Sequence, residues 1–374
     1  MSTFENQKYL PMKKIILSFG FIALSLWGMA QADSSKIAQK LEYEYLTNFN
    51  DAPRTNSIRI GFYNMENLYD TENDSLTADD AFTPDGENHW TKFRYWHKIN
   101  NMAKVISTIG GWDAPDVMGM CEVENITVVK NLIFSEPLKK AKYSIVHYDS
   151  PDNRGIDVAL IYRSSKFKVI GSRPIPVTFI DDPDSKTRDI LYVTGVVVGA
   201  KDTLHILVNH WPSRYGGYAA TIDKRNRAAD IVRHTVDSIH QINPQANVLI
   251  MGDLNDYPTD ISLVEHLKAK PSDENTTVSD VINLMYPYQI AGKIGSHKYQ
   301  AHWGVLDQII VSQPMLTRKE GLRVGKDGAV VYRADFLLVP DDTYLGVKNN
   351  RTYIGTRYNG GYSDHLPVFV DLEW

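Results

Sequence analysis

The apolar run Val248–Met251 stops at Gly252 and hands over to Asp253-Leu254-Asn255-Asp256. A buried strand that ends at the glycine and stays extended projects Asp253 and Asn255 to one side. A carboxylate and a carboxamide so placed make a poor nucleophile but a good holder of a hard cation and a water. A strand followed by an Asp/Asn turn has the same composition, so this stretch alone decides little. What constrains the chain is that other apolar runs stop in the same way. Ser57–Tyr63 alternates, with Ile58, Ile60 and Phe62 on one face, and delivers Asn64 and Glu66. Asp116–Met120 delivers Glu122, then Glu124 and Asn125. Leu204–Asn209 leads into His210-Trp211-Pro212-Ser213-Arg214. Leu306–Val311 carries Asp307 near its start, and Ser363-Asp364-His365 leads into Val368–Leu372.

Between these runs the period changes. Lys92–Ile109 places Trp96, Ile99, Met102, Val105, Ile106 and Ile109 at helical spacing and stops at Gly110-Gly111; Ile126–Phe134 and Ala219–Ile239 also read as helices. Further strands are predicted at Lys142–Tyr148, Asp157–Tyr162, Phe167–Ile170 and Leu191–Val198. Asp70–Trp90 is acidic and rich in turn residues, which predicts a long solvated surface loop, with a structural Ca²⁺ as the alternative. Strands outnumber helices, and no repeat or linker divides the chain. One α/β domain over 57–374 is expected, with sheets packed face to face and helices outside.

Composition sets limits on partners. Apolar residues make up 43% of the 374, enough for a substantial core. The net charge of −5 gives no global positive field, so a polyanion must be met by a local basic patch or by metal. Cys121 is the sole cysteine, which excludes an intrachain disulfide and a cysteine-rich zinc site. Lys13-Lys14, the apolar run Ile15–Trp27 and the small residues Gly28, Ala30 and Ala32 have the order of a signal peptide over 1–32, with Met12 as a second candidate start. A polar arm at 33–56 would follow. The mature chain is then expected to be periplasmic or secreted, without a membrane span and monomeric.

The polar residues at the strand ends are oxygen-rich, with histidines and no thiols, which suits Mg²⁺ or Mn²⁺ and phosphate chemistry. Each also has a structural explanation, because strands end in turns and turns favour Asn, Asp and Gly. Taken in order, "FYNMEN", "DVMGMCEVEN", "RGIDVALIYR", "VNHWPSR", "MGDLND", "VLDQIIVS" and "YSDHLP" resemble the endonuclease/exonuclease/phosphatase superfamily, the deoxyribonuclease-I-like group, from about Ile58 to Leu372. The resemblance implies a four-layer α/β sandwich of two mixed sheets with a cleft along one edge. It implies that Glu122, Asn64 and Asp364 hold the metal, and that Asp253 and Asn255 orient or deprotonate the attacking water. His365 would contact the phosphate with Asp307 behind it, and His210 would be the second histidine with Asp157 as its partner.

Arg154, Arg214 and Arg225 border these motifs and are candidate phosphate contacts, with ordinary surface charge as the alternative. Three functions compete. A secreted metal-dependent nuclease, cleaving DNA or RNA by metal-activated water, is favoured by "NHWPSR". A phosphoesterase acting on a phospholipid head group, an inositol phosphate or another small ester is favoured by the net acidity and the acidic loop. A non-enzymatic binding module fits least, because every expected polar position is filled.

Overall fold

The computed structural model describes residues 54–111, 113–272 and 275–374. The signal peptide at 1–32 and the arm, apart from its last three residues, fall outside them.

Two sheets carry the fold. The first has six strands in the order β14-β19-β1-β2-β4-β3, and the second has seven in the order β5-β6-β7-β8-β13-β10-β9. In the first, β1 is Ser57–Leu68, β2 Val117–Val123, β3 Tyr143–His147, β4 Asp157–Arg163, β14 Arg323–Val331 and β19 Val368–Glu373. In the second, β5 is Phe167–Ile175, β6 Ile190–Val197, β7 Thr203–His210, β8 Asn247–Asp253, β9 Ala269–Lys270, β10 Val281–Asn283 and β13 Asp307–Ser312. Three short ribbons complete the strands: β11 (His297–Tyr299) with β12 (His302–Gly304), β15 (Leu338–Pro340) with β16 (Val347–Asn349), and β17 (Tyr353–Ile354) with β18 (Arg357–Tyr358).

The helices follow from two parallel pairs. β1 runs parallel to β2, and β7 parallel to β8. A parallel neighbour needs a crossover, and each crossover here contains a helix: α1 (Lys92–Ile109) and α3 (Tyr218–Ile242). α2 (Ile126–Phe134) follows β2, capped by Asn125, whose side chain accepts from the backbone N–H of Thr127 and Val128. The predicted bounds of the first two helices hold. Trp96 is the exception on α1: it is exposed, and Lys98 is buried instead.

The sheets meet through apolar faces at close range. A Cβ on Gly119 would lie 2.6 Å from Met251 Cε, so a larger residue there would push the Met251 side chain aside where β2 packs on β8. Gly252, just before Asp253, is needed within the second sheet: a Cβ there would come within 2.3 Å of the Asn209 carbonyl oxygen on β7. Asp70–Trp90 is a loop with one 3-10 turn, Asp80–Phe82, but it is anchored by buried Trp90 and Tyr69. The strand predicted at Phe167–Ile170 extends to Ile175, and β14 was not expected at all.

The segment between β14 and β19 forms a lobe against the β11–β12 hairpin. Lys298 Nζ donates to Asp341 Oδ2 at 2.8 Å, and Asn349 Nδ2 donates to the Ser296 carbonyl at 3.3 Å. The Lys298 contact, with the N–H groups of Tyr344 and Thr343, holds the Asp341 carboxyl down to about 2. A depressed carboxyl stabilises the fold above its unfolded pKa and loses that contribution as pH falls through the folded value. Asp341→Asn should therefore lower the melting temperature at pH 7, and the difference from the parent should close as pH falls from about 4 toward 2. Thermal melts across that range check it.

Candidate active site

The topology brings the polar strand termini to one edge. Parallel β1, β2, β7 and β8 end there, and β4 and β13, antiparallel to their neighbours, begin there. His210, Asp253 and Asp307 sit side by side across the second sheet, because Asp253 pairs in register with both others. Asn64 arrives from the first sheet and donates through Nδ2 to Asp253 Oδ2 at 3.1 Å. That bond joins the two sheets at the site.

Bulges aim the remaining side chains. The β1–β2 register shifts between Asn64 and Leu68, and the β2–β4 register between Cys121 and Val123. Glu66, Asn67, Glu122 and Asn255 all have left-handed backbone, with φ of 50°, 57°, 57° and 52°. That conformation is costly for residues other than glycine and concentrates at functional sites. It is held in place: Asn67 N–H donates to Glu122 Oε2 at 2.9 Å, and Asn255 N–H to Asp253 Oδ1 at 3.0 Å.

The two histidines differ. His365 Nδ1 pairs with Asp307 Oδ2 at 2.6 Å, leaving Nε2 facing Asp253 Oδ2 at 3.7 Å and Asp364 Oδ1 at 4.0 Å. Burial alone would discharge this ring, but Asp307 and Asp253 outweigh it and hold the imidazolium well above its ordinary pKa. His210 Nε2 stands 3.8 Å from both Glu122 Oε1 and Asp253 Oδ2, and its buried Nδ1 has no partner. Burial, then Arg188, Arg154 and His365, push its pKa well below 6.5, so at neutral pH it is neutral. Asp253 is pushed up to about 6 by burial, with His365 pulling against Asp307 and Glu122.

A model of the Endonuclease/Exonuclease/phosphatase family matches residues 59–374. The chain belongs to that family. As a member it is a metal-dependent phosphoric ester hydrolase, and its paired sheets with outer helices are the sandwich expected of one. Among solved structures, D. rerio TDP2 complexed with single strand DNA product is similar at 14% identity and TM-score 0.50, over 86% of this chain and 100% of that one. A family protein from Bacteroides vulgatus is similar at 16% and 0.50, over 85% and 99%. A mannosyl-6-phosphatase from Bacteroides thetaiotaomicron is similar at 14% and 0.50, over 85% and 100%. At those identities the likeness is one of fold. A comparison with curated proteins finds no match.

The donors suit the divalent metal that the family uses. Asn64, Glu122, Asp253, Asp364 and the two histidines offer oxygen or imidazole nitrogen, and Cys121 is buried. Glu122 Oε1 has no hydrogen-bond donor among the described residues, and burial, with the neighbouring carboxylates adding to it, raises the Asp253 and Glu66 carboxyls. Glu124 Oε2 accepts from Asp70 N–H at 2.6 Å, and burial pushes its carboxyl up to about 8.

Other expectations need correction. Asp157 does not back His210. It pairs with His147 Nε2 at 2.9 Å across the β3–β4 register and accepts from Ser150 N–H. Arg225 is fully buried in an ion pair with Asp256 at 2.7 Å, and Arg214 clamps Asp256, Asp260 and the Asn255 carbonyl while lying over Tyr257. Both brace the loop behind Asp253 and Asn255 and are not placed to grip a phosphate. Arg154 is partly exposed and close enough to Glu122 for that carboxylate to raise its pKa, so it stays a candidate.

Four participants were missed by sequence reasoning. Arg351 bridges Glu66 Oε1 at 2.8 Å and Asp364 Oδ2 at 2.9 Å. His297 lies with its ring centroid 4.8 Å from that of His365. Lys98 reaches the Thr352 hydroxyl at 2.5 Å and the Tyr362 carbonyl, and Arg188 joins Asp152 to the Trp211 carbonyl. Only Lys98 left a signal, as a charge on the apolar stripe of α1 between Tyr95 and Met102.

Arg225→Met should cost about 3 kcal/mol of stability, because it removes the buried one of the two guanidinium partners of Asp256. The KM for a phosphodiester should stay within a few-fold of the parent. Urea denaturation and steady-state kinetics on one preparation read both; a large KM effect with unchanged stability would return Arg225 to the substrate.

Proposed function

We propose that the chain is a phosphodiesterase acting on nucleic acid. The observation that carries this reading is the buried Asp253 carboxylate, met by Asn64 from one sheet and faced by His210 and His365 from two flanks. Glu122 and Asn64 would hold a divalent metal, with Asp364, which lies by His297 and His365, as a further carboxylate. The bound metal stabilises negative charge on the phosphoryl oxygens and lowers the pKa of water.

The protein's own groups divide the proton work. Asp253, near 6, is matched to accept a proton from the attacking water at neutral pH, and Asn255 N–H fixes its orientation. His365, kept charged by Asp307, donates to a phosphoryl oxygen or to the departing alkoxide. Neutral His210 packs between Glu122 and Asp253 and orients both. Arg154 sits at the rim, where it can meet a second phosphate of a chain.

Fold relatives do not choose the substrate: one was solved with a single strand DNA product and another is a mannosyl-6-phosphatase. The stretch His210-Trp211-Pro212-Ser213-Arg214 resembles nuclease-like members of the family and favours a diester. The acidic rim of Asp70, Glu72 and Asp74 favours a short substrate over a long duplex. The export reading rests on Lys13-Lys14 and the apolar run behind them, and places the mature chain in the periplasm or outside the cell. No helix of the described residues is long and apolar enough to cross a membrane.

The test is nicking of plasmid and cleavage of a short single strand with Mg²⁺, with EDTA, and with Asp253→Ala. Cleavage should require the metal and vanish in the variant. His365→Ala should lower kcat by about 10²-fold or more with KM changed little. Intact nucleic acid alongside hydrolysis of a sugar phosphate or inositol phosphate would transfer the site to the small-ester reading.

A further inference from the structure

The acidic insertion between β1 and α1 brings more than charge to the mouth of the site. Phe82 stacks on Tyr69 with ring centroids 4.5 Å apart, and Trp90 and Tyr353 stand round it at 6.1 and 6.4 Å. Phe82, Trp90 and Tyr353 line a cavity of about 120 Å³. Its far wall is shared with the catalytic cleft. Asn67 lines it while its backbone N–H holds Glu122, and Arg351 lines it while bridging Glu66 and Asp364.

Hydrogen-bonding capacity is left over inside this cavity. The side-chain amides of Asn67 and Asn88, and Nη1 of Arg351, make no hydrogen bond among the described residues. Asn88 is nevertheless fixed, since its carbonyl accepts from Arg94 Nη1 at 2.6 Å and from the Tyr353 hydroxyl at 2.9 Å. Aromatic faces with two carboxamides, each offering a donor and an acceptor, match a planar heterocycle with polar edges. Size narrows the choice: a cavity of about 150 Å³ holds one benzene ring, so this one is of single-ring scale and suits a pyrimidine better than a fused purine.

We propose that this cavity is a base subsite that takes the pyrimidine of the nucleotide whose phosphate is hydrolysed, stacked on Phe82 with Tyr353 standing across its edge, and read by Asn67 and Asn88. The proposal rests on the nuclease reading and supplies its substrate preference. It also gives the insertion a role: the aromatic residues that fold the loop are the ones that build the pocket.

Four 4-nitrophenyl phosphodiesters test it: the 5′-esters of thymidine and deoxyguanosine, the abasic deoxyribose ester, and the bis ester that has neither sugar nor base. The enzyme should prefer the thymidine ester over the deoxyguanosine ester by roughly tenfold in kcat/KM, and Phe82→Ala and Asn88→Ala should each lose roughly tenfold on thymidine with the bis ester within about twofold. Asn88→Ala keeps the backbone carbonyl contacts, so it answers for a Phe82→Ala variant that merely loosens the turn. Equal losses on thymidine and abasic esters would put a sugar ring in the cavity and overturn the proposal, as would no loss on either. Turnover of the bis ester alone would overturn the nuclease reading itself, and the subsite with it.

Discussion

A single buried carboxylate, Asp253, holds the arrangement together. Taking its charge out of water costs several kcal/mol unless polar groups replace the lost hydration. The replacements come from separate parts of the chain: Asn64 across the gap between sheets, Asn255 from the next turn, and His365 from the turn that leads into β19. Each is available only if both sheets present their strand termini at the same edge. Gly119 eases the packing of one sheet on the other, Gly252 lets β8 lie close to β7, and the helical crossovers α1 and α3 fix the parallel pairs whose ends converge. Site and sandwich are therefore one structural problem with one solution.

The charges around Asp253 are graded. His365 is locked as a cation by Asp307, and Asp364 is held below its ordinary pKa because, against burial, His365, Arg351 and His297 favour its charge. Lys98 is pushed down to about 8 by burial although Glu66 and Asp364 favour its charge. Away from Arg351 the balance tips negative, at Glu122 and Asp253, where a divalent cation would relieve it. His297 is brought down to about 4 by burial and by its charged neighbour His365, so the hairpin wall adds a neutral ring beside the donor. The geometry separates a cation-demanding side from a proton-donating side.

Much of this was legible in the sequence, for a definite reason. Residues that end apolar strands are fixed in place by the strand period, so Asn64, Glu122, His210, Asp253, Asp307 and His365 converge as the motifs imply. Pairings that depend on register were not legible. His147 meets Asp157 because β3 pairs antiparallel with β4, which no local pattern announces. Nearness in sequence misled for Arg214 and Arg225. Arg225 shares an apolar stripe with Ala228, Ala229 and Val232, and that placement marks burial more than contact with solvent. His297 lies in a three-residue strand and Arg351 in the short link between β16 and β17, both too brief to carry a period.

The central claim is that residues from both sheets form one oxygen-lined site that grips a divalent metal, with Glu122 as its free ligand. Calorimetric titration of Mn²⁺ into the folded protein and into Glu122→Gln tests it most directly. The account predicts saturable binding in the parent and its loss in the variant, with both proteins melting at similar temperatures without metal. Equal binding by the two would contradict it.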